Sequence, residues 1–264
     1  MRQFLLLFAL TVACYGARCP PFTHLFLRGE EKSGTTFFEY VIEHIIREHC
    51  NGSGECMESG NPRSEYYSPF SKKSEQRGMT VLLADGECEW HFSLGGDKHS
   101  TGLARQPGLR YALIFRDPRD VLLSAREFFV REDRGGHAYF SKILGDMAAL
   151  YANAQGQDCI VVFYELLLSN PEAEVRRVAG ELGFDLSDRA LAAVLERTSL
   201  DHMRKLERGG ELRGLTKSAR YGAKVREGRP GAWRDEYTGS DAARLTEAMK
   251  RALQPALLEM FKEL

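Results

Sequence analysis

The sequence predicts an α/β fold, a single domain with a central parallel sheet flanked by helices. A glycine loop joins an aromatic-rich strand to an amphipathic helix within residues 22–49, and apolar strands recur at 110–116 and 159–164. Helical segments fill the intervals, and strands alternating with helices imply parallel pairing with both faces covered. No linker rich in proline or glycine divides the chain. Its 264 residues, 43% hydrophobic and 28% charged, suffice for one large core.

The first residues stand apart. Arg2 precedes the apolar run Phe4–Leu10, and small residues follow through Ala13, Gly16 and Ala17. A positive start, a short apolar run and a small-residue exit have the form of a secretory signal peptide or short N-terminal anchor over residues 1–17. The run falls short of the roughly 20 apolar residues of a membrane span. A buried segment of a cytoplasmic protein is the alternative. Asn51-Gly52-Ser53, an N-glycosylation acceptor in a loop-like stretch, favours the secretory route, to the Golgi lumen or outside the cell. Of six cysteines, Cys14 would leave with a signal peptide. Among Cys19, Cys50, Cys56, Cys88 and Cys159, the pair flanking the glycine stretch, Cys50 and Cys56, is the easiest to join. No spacing has the form of a zinc site, and no metal is expected.

The main domain is read over 22–264. Phe22–Arg28 reads as a strand, Gly29–Thr36 as its loop, and Phe37–His49 as a helix with Phe38, Val41, Ile42, Ile45 and Ile46 on one face. Residues 50–80 are polar and turn-rich and read as loop, with a short strand at Met79–Ala84. Arg110–Arg116 and Cys159–Tyr164 are buried strands. Helices follow at Asp120–Phe129, Ala138–Ala154, Pro171–Leu182, Asp188–Arg197 and Asp241–Phe261, with a turn or helix start at Glu165–Pro171. The 36 basic and 37 acidic side chains leave a formal charge of −1. That balance excludes a polyanion-coating surface and a nucleic-acid partner but leaves room for a local anion pocket.

The chemistry gathers in separate segments. Lys32-Ser33-Gly34-Thr35-Thr36 enters a helix, where free N–H groups and the positive end of the helix dipole bind anions. Its lysine precedes the second glycine, unlike a Walker A loop. Arg116 closes a strand, at the edge where α/β folds bind ligands, and its planar fork suits phosphate. Asp117 and Asp120 read as helix-start residues, and Arg119 and Arg126 as a solvated helix face. Arg226-Glu227-Gly228-Arg229-Pro230-Gly231-Ala232-Trp233 describes a loop pinned by an aromatic ring.

In sequence and order these segments resemble the sulfotransferases that use 3′-phosphoadenosine 5′-phosphosulfate (PAPS). Lys32 to Phe37 is similar to that family's 5′-phosphosulfate loop, and Arg116 with Ser124, eight residues apart, to its 3′-phosphate motif. Arg226-x-Gly228, Gly231-x-Trp233 and Thr238 resemble its closing C-terminal loop. Tyr164-Glu165 with Asn170-Pro171, and Thr198-Ser199 followed by Met203, match further family segments. The resemblance runs from about residue 23 to the C-terminus. It implies a P-loop-NTPase-like three-layer sandwich and PAPS as co-substrate, without a metal. Lys32 would stabilise charge on the departing phosphate. Ser33, Gly34, Thr35 and Thr36 would hold the 5′-phosphate, and Arg116, Ser124, Arg226, Glu227 and Gly228 would surround the 3′-phosphate. Phe37, Tyr164 and Thr198 would meet the adenine. Glu227 stands where the family usually has lysine, Ala232 where it has aspartate, and Phe37 where it often has tryptophan. Glu30 and Glu31 are expected to point away from the anion.

An acceptor hydroxyl or amine must lose a proton, and histidine has a suitable pKa. His99, after Lys98 and seventeen residues before Arg116, is the first candidate; His91 and a carboxylate are the others. His24, His44, His49, His137 and His202 read as structural or surface residues. The acceptor, a small alcohol, phenol or amine or a glycan, stays open, as does oligomeric state. A small-molecule kinase and a non-catalytic nucleotide-binding relative are the competing readings. The first would want a Gly-Lys-Ser/Thr order, which is absent here.

Overall fold

The computed structural model describes residues 22, 24–53, 56–58, 78–83, 89–93, 99–129, 136–212, 222–225 and 227–262, with the backbone path alone for 50–53 and the described residues between 56 and 93. Its strands are β1 (His24–Arg28), β2 (Cys56–Glu58), β3 (Gly78–Leu83), β4 (Glu89–Ser93), β5 (Leu109–Phe115) and β6 (Cys159–Phe163). They form one sheet in the order β2-β3-β4-β1-β5-β6. Strands β4, β1, β5 and β6 run parallel, while β3 is antiparallel to both β4 and β2. The expected parallel sheet is therefore one side of a mixed one, running to the edge at β6.

The helices are α1 (Thr35–Ser53), α2 (Pro118–Phe128), α3 (His137–Ala154), α4 (Tyr164–Ser169), α5 (Pro171–Glu181), α6 (Asp188–Arg197), α7 (Leu200–Gly209), α8 (Trp233–Glu236), α9 (Gly239–Ala252) and α10 (Pro255–Lys262). Successive strand residues point to opposite faces, which divides the core in two. Leu25, Leu27, Ala112, Ile114, Ile160 and Val162 pack with α1, α5 and α6, where Phe38, Val41, Ile42, Ile45 and Ile46 form the buried face of α1. Phe26, Tyr111, Leu113, Phe115 and Phe163 pack with α2, α3, α9 and α10. Because both faces are covered, the central strands carry apolar side chains on both faces instead of alternating. Each fully buried aliphatic side chain contributes about 2 kcal/mol.

Several expectations change. Helix α1 continues through Ser53, so Asn51 lies in its last turn and not in a loop. The region expected as loop between 50 and 80 contains β2 and the start of β3. Strand β4 was not anticipated, since Glu89 to Ser93 mixes charge and aromatics, and α7 was missed because its one fully buried side chain is Met203. The segment expected as one helix at 241–261 is two, because Pro255 has no N–H for the preceding turn and starts α10 instead. Residues 1–17 and the Cys50 and Cys56 side chains lie outside what is described; Cys159 is buried and reduced.

Candidate active site

Strands β1, β5 and β6 are adjacent and parallel, so their carboxyl ends open on one edge. There β1 turns into the Gly29–Gly34 loop, β5 into Arg116 and β6 into Tyr164. These three turns and the segments 198–203 and 224–232 enclose a cavity of about 340 Å³.

The first loop splits its side chains between two sides. Ser33 turns inward: its hydroxyl and N–H both donate to the Glu30 carbonyl, at 2.7 and 3.1 Å, which closes the turn. Lys32 has a left-handed backbone at φ 68°, unlike any other non-glycine described residue. Its Nζ lies 3.6 Å from the centre of the Phe128 ring, on the cavity wall. Gly34, at φ 97°, passes so close to Tyr164 that a Cβ would sit 2.5 Å from Cδ2 of that ring. Thr35, Thr36 and Phe37 follow on the wall in the first turn of α1, where backbone N–H groups have no partner within the helix. The two glutamates part company. Glu30 is buried away from the cavity and pairs with Lys142 of α3 at 3.2 Å. Burial pushes its pKa up to about 7 against the pull of Lys142. Glu31, contrary to expectation, lines the cavity.

Arg116 forms the neighbouring wall. It donates to the Lys32 carbonyl at 3.2 Å and stacks on the Tyr164 ring at 4.4 Å. Its Nε is buried and has no partner among the described residues, an orphaned donor that suits an anionic group. Ser124, two turns along α2, lines the same wall. Arg119 is not on a solvated face. It is 8% exposed, paired with Asp117 at 2.7 Å and laid 3.8 Å from the Trp233 ring centre. Arg126 is exposed, as expected, and pairs with Glu236. Tyr164, edge-on to Phe37 at 6.1 Å, has its pKa raised by burial.

A model of the sulfotransferase domain matches residues 22–256. The chain belongs to the sulfotransferase family. Among solved structures, this sulfotransferase is similar to retinol dehydratase in complex with androsterone and the inactive cofactor PAP, with TM-score 0.58, 16% identity, and coverage of 88% of this chain and 81% of that one. Retinol dehydratase in a complex with retinol and PAP aligns at TM-score 0.57 and 17% identity, covering 91% of this chain and 84% of that one. Mouse sulfotransferase SULT7A1 complexed with PAP aligns at 0.58 and 17%, covering 91% and 88%. At these identities the likeness shows the shared fold. No curated protein sequence matches the chain.

The remaining site residues of the sulfotransferase fall as follows. Thr198 lines the cavity at the end of α6, its hydroxyl donating to the Val194 carbonyl at 2.8 Å. Glu227 and Gly228 line it from the C-terminal segment, with Glu227 3.5 Å from Arg229; Arg226 lies outside the described residues. His99 is on the cavity wall, and its Nδ1 donates to the Gly29 carbonyl at 2.9 Å. His91 sits in β4 opposite His24 of β1, and its side chain lies outside the described residues.

Sequence reasoning passed over Lys224, Arg229, Phe128 and Phe129, all on the wall. It also read Asp117 and Asp120 as mere helix-start residues. Asp117 does cap α2, but its own N–H donates to buried Glu165 at 2.7 Å, tying the ends of β5 and β6 together.

Proposed function

We propose that the protein transfers the sulfonate group of PAPS to a hydroxyl or amine of a small acceptor. The observation that carries this reading is the meeting of Lys32, the N-terminus of α1, and the Arg116–Ser124 pair on one cavity at the carboxyl edge of the sheet. PAPS supplies a sulfonate on a phosphate leaving group, and its 3′-phosphate sets it apart from ordinary nucleotides. Lys32 is a fixed cation for charge that grows on a departing phosphate, the largest kind of catalytic contribution. The N–H groups and hydroxyls of Thr35 and Thr36, with the Gly34 turn, suit the 5′-phosphate. Ser33 contributes shape alone, since its donors are spent on Glu30. Arg116 and Ser124 suit the 3′-phosphate, joined by Arg226 on the family resemblance. Phe37 and Tyr164 offer rings for adenine.

His99 holds the acceptor's proton in this reading. A carbonyl only accepts, so the Gly29 contact fixes the proton on Nδ1 and leaves Nε2 as the ring's acceptor atom. Glu31, on the same wall, is the carboxylate alternative. The retinol and androsterone in the complexes of retinol dehydratase support a small-molecule acceptor. The apolar run and small-residue exit of residues 1–17 support a secretory address.

Calorimetry with adenosine 3′,5′-bisphosphate, with AMP as control, tests the donor. Binding that requires the 3′-phosphate and weakens by about 30-fold or more in Arg116→Ala is expected, the loss of a charged hydrogen-bonding partner. Equal binding of the two nucleotides would overturn the assignment.

A further inference from the structure

The C-terminal segment that brings Glu227, Gly228 and Arg229 to the cavity is fastened from below. Both carboxylate oxygens of Asp120 accept backbone N–H groups just beyond it, Oδ2 from Gly231 at 2.6 Å and Oδ1 from Trp233 at 2.9 Å. Asp120 is 1% exposed, and burial raises its pKa against the pull of Arg116 and of these two N–H groups. Arg119 completes the fastening: it lies over the Trp233 ring and donates to Thr246 of α9 at 2.9 Å. Gly231, at φ 74°, makes the turn that lets both N–H groups face one carboxylate.

Asp120 and Ser124 are one helical turn apart and share a face of α2, which follows directly on Arg116. The helix that presents Ser124 to the cavity, starting two residues after Arg116, therefore also anchors the segment that carries Gly228 and Arg229. We propose that Asp120 is a positioning residue for the nucleotide: its carboxylate clamps the 231–233 turn to α2 and sets the Gly228–Arg229 wall at a fixed distance from Arg116. This rests on the nucleotide reading above. The clamp contacts no reacting atom, so it acts on donor affinity and leaves the transfer step alone.

Asp120→Asn in the full chain is the test. Asparagine keeps one acceptor oxygen and turns an NH2 group towards the other N–H. Amide hydrogen exchange at residues 228–233 should quicken by about tenfold while α1 and β5 exchange as in the wild type. The Kd for adenosine 3′,5′-bisphosphate and the KM for PAPS should rise by about tenfold, with kcat at saturating donor within about twofold and the acceptor KM unchanged. Gly231→Ala, which strains the turn and leaves Asp120 intact, should reproduce this pattern even if Asp120→Asn folds poorly. Unchanged exchange at 228–233 overturns the clamp. Quickened exchange with unaltered nucleotide affinity, or a fall in kcat alone, overturns its positioning role. Failure of the nucleotide reading looks different: the wild type itself then shows no preference for the 3′-phosphate, while exchange still reports on the clamp.

Discussion

Replacing Glu165 by Gln should shift stability progressively in the mutant's favour, relative to wild type, as pH rises from mild acid to above neutral. The Glu165 side chain is buried at the joint between β5 and β6, where Oε1 accepts the Asp117 N–H at 2.7 Å and Oε2 has no partner among the described residues. Burial raises its pKa from 4.5 to about 7, outweighing the backbone N–H groups and Arg116, which favour the charged form. The folded protein thus holds this proton more tightly than the unfolded chain. Stability from this group is whole below 4.5 and is lost as pH rises through about 7. The full difference corresponds to about 3 kcal/mol, of which about 2.5 kcal/mol falls between about pH 5 and about pH 8. Glutamine keeps the acceptor for Asp117 and removes the charge; its buried NH2 group adds a cost of about 1–3 kcal/mol that does not vary with pH. The measurement is therefore the change in Tm difference between mutant and wild type at the two pH values. It should shift by about 5–10 °C in the mutant's favour at the higher pH. The same difference at both values would refute the claim that burial holds the carboxyl neutral.

Gly34→Ala should lower stability by about 2–4 kcal/mol, because its left-handed φ disfavours any Cβ and the Tyr164 ring occupies the space; thermal denaturation reads this directly, and a Tm within about 2 °C of wild type contradicts it. Lys32→Ala should cut kcat by about 10²- to 10³-fold while adenosine 3′,5′-bisphosphate affinity falls by less than about tenfold. Turnover that survives the change would refute the catalytic role of Lys32 and point to another group on the cavity wall.

The central architecture was legible because its signals are local. The strands β1, β5 and β6 hold the apolar runs Leu25–Leu27, Tyr111–Phe115 and Cys159–Phe163, and α1 carries its core residues at helical spacing. The sheet's other edge was not legible, since β2 is three residues long and β4 carries Glu89, Trp90 and His91, a mixture that no periodicity announces. At the site, Lys32, Arg116, Ser124, Tyr164 and Thr198 stand out by motif, and the structure lines one cavity with them. Asp120, Arg119 and Glu165 did not stand out as site residues. A charged side chain in a polar turn reads as solvated unless its partner is known, and the deciding partners lie far along the chain: Trp233 for Asp120, Asp117 for Glu165, and for Arg119 the Trp233 ring that covers its pair with nearby Asp117. Burial of paired charges is a tertiary fact.

Two acidic residues, Glu30 and Glu31, sit in a loop that reads as an anion site. An acidic pair next to Lys32 should oppose a bound phosphate if both faced it. Ser33 folds back on the Glu30 carbonyl and draws that end of the loop into the protein, where Glu30 meets Lys142 and is spared burial as an unpaired charge. The left-handed Lys32 then swings the chain round, so that Glu31 and Lys32 look into the cavity together. Lysine in that backbone conformation costs about 1–2 kcal/mol relative to glycine. The strain is offset by what it accomplishes: it sets the Lys32 ammonium over Phe128 and its carbonyl on Arg116. A loop built only to turn would place glycine there. A left-handed lysine, coupled through its own carbonyl to the arginine that follows the neighbouring strand, joins Lys32 and Arg116 into one unit on the cavity wall, so that neither cation can shift without moving the other.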